Sequence, residues 1–214
     1  IGMSGQLAVV NKVEDLIAVN PMKGSAFLEN YASEKGDNSL VEILPKIEPF
    51  NMLKMMQYHD FSSPSILTEL MSSEYILEMI KSFPLYWKKV DLENLRQLQE
   101  DMIDFMFHIV ETQDNQERRD EIIFTIFSEE AGKFFVTMIF IAENHFDSHY
   151  KNMLSKIKER IVNVFPEFQK EIIGFQKANE WEYLINYYTE TLISIAQGDT
   201  FDFSSSEEEK YSTI

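Results

Sequence analysis

Residues 91–111 read DLENLRQLQEDMIDFMFHIVE, and this stretch decides the fold class. Its apolar side chains recur every three or four residues, the spacing that places them on one side of an α-helix. Asp91 is a suitable N-cap, because its carboxylate can accept hydrogen bonds from the unpaired amides of the first turn. The apolar face consists of Leu92, Leu95, Leu98, Met102, Ile103, Phe105, Met106, Ile109 and Val110. The stretch therefore predicts a long amphipathic helix.

The same spacing recurs on both sides of this stretch. Glycine and proline number only 7 and 6, and they fall between the periodic segments, as expected when helices are the building units. The predicted helices cover residues 7–19, 25–31, 50–58, 64–83 (as one helix or two), 92–110, 118–127, 131–146, 150–165, 168–175 and 178–196. Residues 85–90 are expected to be a connector. With no strand pattern of any length, the sequence predicts an all-α protein of about nine helices.

Two all-α architectures fit this succession of helices. One is an irregular multi-helix bundle, and the other is a short α-solenoid of stacked helix pairs. A solenoid usually shows self-similarity at a fixed period of roughly 30–47 residues, and no such period is evident. The irregular bundle is therefore preferred. Residues 131–146 are apolar on nearly all sides, so they are expected at its centre.

Composition divides the chain into three parts. Residues 1–5 are interpreted as an expression remnant followed by a flexible N-terminus. Residues 6–197 are predicted to form a single all-helical domain, since one domain usually holds roughly 100–200 residues. Residues 198–214 read GDTFDFSSSEEEKYSTI and are predicted to be a flexible acidic Ser/Glu tail.

The formal net charge of −17 limits the classes of partner. Nucleic acids and anionic membranes are bound mainly through Lys and Arg, so neither is expected as a ligand. The charge instead suits another protein with a basic surface. Cysteine is absent, which excludes disulfides, thiolate metal sites and cysteine nucleophiles. The chain contains no apolar run of the roughly 20 residues that cross a bilayer and no signal-peptide pattern, so we expect a cytoplasmic protein.

The histidines suggest one form of enzyme chemistry. His145 and His149 are four residues apart, and on a single helix both imidazoles could reach one divalent metal ion. Asp104 and His108, with Glu111, share a face of the long upstream helix and could supply further ligands. In the alternative interpretation, Asp147 caps a new helix and the two histidines do not share a face. The metal site is thus one hypothesis, and ordinary histidines near a helix junction are the other.

The acidic residues suggest a docking surface. Residues 91–130 contain twelve Asp and Glu but only three Arg, an excess of nine negative charges. On the predicted long helix, Glu100, Asp101, Asp104 and Glu111 are the candidate partner-binding residues, because such a surface raises the association rate with a basic partner. The simpler interpretation is a solvated helix face.

The tail carries a pattern for modification. Ser204, Ser205 and Ser206 each precede a glutamate by three residues, the spacing that acidophilic kinases favour, so all three are candidate phosphorylation sites. The terminal residues 212–214 would also suit a groove that binds a C-terminal carboxylate. The simpler interpretation is a solubilising tail.

Two functions remain after these exclusions. The first is a non-catalytic protein–protein interaction module (an adaptor, chaperone or regulatory subunit) that uses the acidic face, an apolar groove or both, and needs no cofactor. The second is a metal-dependent helical-bundle enzyme with His145 and His149 as ligands. The sequence contains neither a Gly-rich phosphate loop nor a Gly-x-Ser-x-Gly nucleophile motif, which favours the first.

Overall fold

The computed structural model describes residues 2–58, 64–89, 95–140, 143–170 and 190 of the chain. Within these residues every regular element is a helix, which confirms the all-α prediction. The α-helices are α1 (Met3–Val19), α2 (Pro21–Lys35), α3 (Asp37–Ile43), α4 (Pro49–Met56), α5 (Ile66–Leu70), α6 (Ser73–Lys89), α7 (Leu95–Glu111), α8 (Gln116–Ile126), α9 (Glu130–Phe140) and α10 (Ser148–Val164). Two 3-10 turns lie at Leu44–Lys46 and Glu143–His145.

The N-terminal helices differ from the prediction in where they begin. Helix α1 starts at Met3, so the expected flexible segment 1–5 is already helical from its third residue. Helix α2 starts at Pro21 rather than near Ser25, because the Asn20 side chain accepts a hydrogen bond from the Met22 amide at 3.0 Å. Proline at the first helical position completes this start signal.

Helix α6 continues where the sequence predicted a break. Pro84 lies inside it, and residues 85–89 are helical rather than a connector. A proline inside a helix costs about 3 kcal/mol through the lost hydrogen bond and a steric clash. The turns before it are fixed by tertiary packing, since Ile76, Ile80 and Phe83 are buried in the core. This packing outweighs the local penalty.

One cluster of buried side chains extends through all ten α-helices. Near its middle, the rings of Phe83, Phe105 and Phe135 pack edge to face, with centroids 5.5 to 6.2 Å apart. Helix α9 buries most of its described length, Glu130–Phe140, as expected for the central helix. Helix α7 packs against α8, α9 and α10, and α6 packs against α4, α8 and α9. Most of these helix pairs are in contact although they are not neighbours in the sequence, which is typical of an irregular bundle, whereas each repeat of a solenoid contacts only its neighbours.

Several predictions concern residues outside those that the structure describes. They are the N-cap at Asp91, the helix at 178–196, most of the helix at 168–175, and the tail. The single domain over residues 6–197 stays a prediction. No helix among the described residues is both long enough and apolar enough to cross a membrane.

Candidate interaction surface

Helices α7 and α10 pack along one another and present a polar strip to the surface. Contacts between them ascend together in sequence, from Asp104 with Tyr150 to Glu111 with Arg160, so the two helices run parallel. The apolar spacing of α7 places Met102, Ile103 and Met106 in the core. Its other side therefore carries the polar residues, which lie beside α10.

Three carboxylates lie together in the middle of this strip. Glu100, Asp101 and Asp104 are all half-buried, and we refer to them as the acidic triad. Asp101 accepts a hydrogen bond from Gln97 Nε2 at 2.9 Å. Asp104 accepts a long one, 3.4 Å, from the Tyr150 hydroxyl on α10. Polar hydrogen bonds thus solvate two of the three carboxylates, but neither partner carries a positive charge.

Burial makes the charged forms of Asp101 and Asp104 unfavourable. Desolvation raises the pKa of Asp101 to about 6, and the negative charges of Asp104 and Glu100 add to the effect. Desolvation also raises the pKa of Asp104, although the Tyr150 hydrogen bond and the nearby His149 oppose the shift. At neutral pH these carboxylates keep their charge at a cost in folding free energy.

Arg96 borders the triad at one end. Its Nε lies 3.5 Å from Glu100 Oε1, and its guanidinium stacks 4.9 Å from the centre of the Phe146 ring. It also donates a hydrogen bond to the His145 carbonyl oxygen, which fixes the 3-10 turn against α7. Much of the hydrogen-bonding capacity of Arg96 is therefore used within the protein.

Glu111, the fourth candidate partner-binding residue, lies apart from the triad in an ion pair with α10. Its carboxylate accepts hydrogen bonds from Arg160 Nε at 3.1 Å and Arg160 Nη2 at 3.4 Å. Only 13% of the Glu111 side chain is exposed. The ion pair connects α7 to α10, so the Glu111 carboxylate already has a counter-charge within the protein.

The predicted metal ligands do not converge. His145 lies in the 3-10 turn and His149 in the first turn of α10, and Asp147 caps α10 by accepting a hydrogen bond from the Tyr150 amide at 3.1 Å. The shared helix face that the four-residue spacing required is therefore absent. His108 is fully buried and hydrogen-bonded to Thr68, well separated from solvent.

Among the described residues, no group of three His, Asp or Glu is placed to hold a metal ion. Asp104 and His149 are close enough to interact electrostatically, but within the described part of the chain no third ligand lies beside them. The geometry of the described chain thus gives the metal-enzyme hypothesis no support. The candidate phosphorylation sites Ser204, Ser205 and Ser206 lie outside the described residues.

Sequence reasoning missed Tyr150, Gln97 and Arg96 as parts of this surface. Gln97 precedes Asp101 by four residues on one helix, so the spacing could have indicated that hydrogen bond. Tyr150 and Asp104 are 46 residues apart, and only the packing of α10 on α7 brings them together. No local sequence pattern indicates such a contact.

Comparison with known proteins links the chain to two family models. Residues 5–70 match the AtcB N-terminal domain, and residues 73–197 match the AtcB C-terminal domain. The chain is also 31% identical over 147 residues to Adaptation to cold protein B of Shewanella oneidensis. That match covers 67% of this chain and 58% of the relative, so the chain spans less than two thirds of the relative's length. No solved structure matches the chain. The acidic triad lies within the part that matches the C-terminal model.

Proposed function

The chain belongs to the AtcB family, and from this premise we propose that it is a non-catalytic helical interaction module that serves adaptation to cold. In this proposal it acts in the cytoplasm as an adaptor, chaperone or regulatory subunit. Its acidic triad binds a basic surface on another protein. The cold-related role comes from the name of the Shewanella relative, and the mode of action comes from the triad.

The observation that carries the proposal is the half-buried position of Asp101 and Asp104, whose hydrogen-bond partners Gln97 and Tyr150 carry no charge. Folding raises the pKa of both carboxyls, which means that their ionised forms destabilise the native chain. A lysine or arginine of a partner would pair with them and remove this cost. Partly desolvated carboxylates also attract a basic group more strongly than fully hydrated ones. The triad is therefore better suited to binding than an ordinary solvated face.

Capture of the partner tests the proposal. Tagged wild-type protein and the double variant Asp101→Asn/Asp104→Asn are used as baits in lysate of the native host grown in the cold. Asparagine keeps the side-chain volume and the acceptor for Gln97 while removing both charges. The matched control is Glu29→Gln/Glu34→Gln, which removes two exposed charges from α2.

We expect the wild type and the α2 control to recover the same partners, and the double variant to recover much less of them. Equal recovery by all three baits would remove the acidic triad from the proposal. Thermal melting of each bait must first show that it is folded, so that a lost partner reflects the surface and not the fold.

The cold-related role has its own test. Deletion of the gene in the native host should slow growth at low temperature more than at the optimal temperature. Expression of the wild-type chain should restore growth, whereas the Asp101→Asn/Asp104→Asn variant should not. Identical growth of the deletion strain and the parent in the cold would contradict the role.

A further inference from the structure

A second surface lies between α6 and α8, away from the acidic triad. It is an open groove of about 550 Å³, within the size range of ligand-binding clefts. Tyr75 and Leu77 line its buried side, and the Tyr75 hydroxyl is fixed by a 2.8 Å hydrogen bond to the Ile47 carbonyl oxygen. Leu77 is buried but lies outside the main cluster of core side chains. The floor of the groove is therefore apolar and held in place.

Phe124 forms one wall of the groove and is 63% exposed. Its ring stacks on Phe165, with centroids 6.0 Å apart and planes inclined by 17°. Most of the α8 positions that carry large apolar residues point inward, but this one does not, since Ile122, Ile123 and Ile126 are fully buried. An exposed aromatic ring fixed beside an apolar floor is the kind of anchor that protein interfaces favour.

The rim of the groove is acidic. Glu74, Glu78 and Glu129 line it, and no Lys or Arg does so among the described residues. Outside the lining, Lys81 forms ion pairs with Glu78 and Glu129, and Arg118 interacts electrostatically with Glu74. The lining therefore combines an apolar floor with a net negative edge.

The groove also lies where the two family matches meet. Pro45 belongs to the part that matches the N-terminal model, whereas Tyr75 and Phe124 belong to the part that matches the C-terminal model. Such junctions are preferred positions for binding sites. An occupant here would touch both parts of the chain at once.

The geometry points to a binding site for a basic amphipathic segment of a partner protein, with its apolar side chains against Leu77 and Phe124 and its Lys or Arg beside the glutamate rim. The negative charge of the rim determines which segment can bind in the groove. The protein's own tail, residues 198–214, contains five acids and one lysine, so the rim repels it. A second copy of a chain with net charge −17 is disfavoured for the same reason. A basic segment complements both the floor and the edge.

A direct titration tests this site without the natural partner. The probe is a fluorescein-labelled amphipathic peptide of leucine and lysine, and its counterpart replaces every lysine by glutamate. Binding to the full chain is followed by fluorescence anisotropy at low and high salt. The groove variants are Phe124→Ser and Glu74→Lys. The control is Tyr58→Ser, which removes an aromatic ring of equal exposure, 62%, elsewhere.

We expect the lysine peptide to bind and the glutamate peptide not to bind, with affinity falling as salt rises. Phe124→Ser and Glu74→Lys should each weaken binding by about tenfold. Tyr58→Ser and the exposed α2 variant Glu29→Gln/Glu34→Gln should leave it unchanged. The site is overturned if the lysine peptide fails to bind, if both peptides bind equally, or if only the Asp101→Asn/Asp104→Asn variant weakens binding. Because the two surfaces share no residue, failure of the groove leaves the acidic triad to its own test.

Discussion

The imidazole of His108 lies 3.0 Å from the hydroxyl of Thr68 in the core, and this pair joins α7 to α5. The Thr68 hydroxyl already donates its proton to the Ser65 carbonyl oxygen at 3.0 Å. With its own proton placed on Ser65, the Thr68 oxygen is an acceptor for the tautomer of His108 that carries its proton on Nε2. The bond connects the parts of the chain that match the C-terminal and N-terminal family models. His108 therefore serves to connect α7 to α5 in the core.

Replacing His108 tests this link. His108→Ala should lower the free energy of unfolding by about 3 kcal/mol, because it leaves a cavity and an unpaired Thr68 oxygen. His108→Gln should cost less, since the glutamine amide nitrogen can reach the position of Nε2. Urea unfolding of the three proteins measures the difference. Equal losses for alanine and glutamine would show that the hydrogen bond does not matter.

The pH dependence of stability tests the environment of Asp101. Its folded pKa of about 6 lies above its unfolded value, so the native state binds the proton more tightly than the unfolded chain. The resulting stabilisation is present at acidic pH and is lost as the pH rises through about 6. The limit is about 1.4 kcal/mol per pH unit, and partial exposure reduces it.

We therefore compare the wild type with Asp101→Asn at pH values on either side of this transition. The stability of the wild type relative to Asp101→Asn should fall by about 1 kcal/mol between mildly acidic and neutral pH. Chemical denaturation at each pH supplies the numbers. A difference that is independent of pH, or one that rises with pH, would contradict the half-buried position of this carboxyl.

Gly132 tests the close packing between α8 and α9. A Cβ atom built at Gly132 would overlap the carbonyl oxygen of Ile126, which belongs to the backbone and cannot move aside cheaply. Gly132→Ala should therefore destabilise the protein by about 3 kcal/mol or more. At Gly24 the nearest atom is Cγ1 of the buried Ile17 side chain, which can shift more readily than a backbone carbonyl, so Gly24→Ala should cost less. Thermal melting compares the two, and equal shifts in Tm would disprove the tight approach at Gly132.

The Glu111–Arg160 ion pair tests the junction of α7 and α10. Glu111→Gln should lower the free energy of unfolding by about 1 kcal/mol, because it leaves the partly buried Arg160 without its counter-charge. The matched control is Glu167→Gln, since Glu167 pairs with Lys170 where both side chains are 84% exposed. Such exposed pairs contribute little to stability. An equal effect of both changes would mean that the α7–α10 pair is also fully hydrated.

The helical fold could be predicted because its signals are local. The apolar spacing of residues 95–111 corresponds to α7, and the helix predicted after the turn is found as α8, with Asn115 as its N-cap. The helix end predicted at Pro84 was wrong, because the packing of Phe83 and its neighbours outweighs the low helix propensity of proline. A proline signals a helix end only when tertiary contacts do not oppose it.

Less of the candidate site could be predicted from the sequence. The spacing of α7 correctly placed Asp101 and Asp104 away from the core-facing stripe, but it could not reveal their partial burial. That burial comes from the neighbouring helix α10, whose Tyr150 contacts Asp104. The histidine pair failed for a related reason, because the four-residue spacing implies a shared face only within one helix. Asp147 ends that continuity by capping α10.

The most direct test of the central claim is the affinity of the purified protein for the partner captured in the cold. Titration of that partner with the wild type, Asp101→Asn/Asp104→Asn and the α2 control Glu29→Gln/Glu34→Gln should be carried out at two salt concentrations. We predict that only the Asp101→Asn/Asp104→Asn variant loses about tenfold in affinity, together with most of the salt dependence. The same Kd and salt dependence for all three proteins would contradict the claim that the acidic triad is the binding surface.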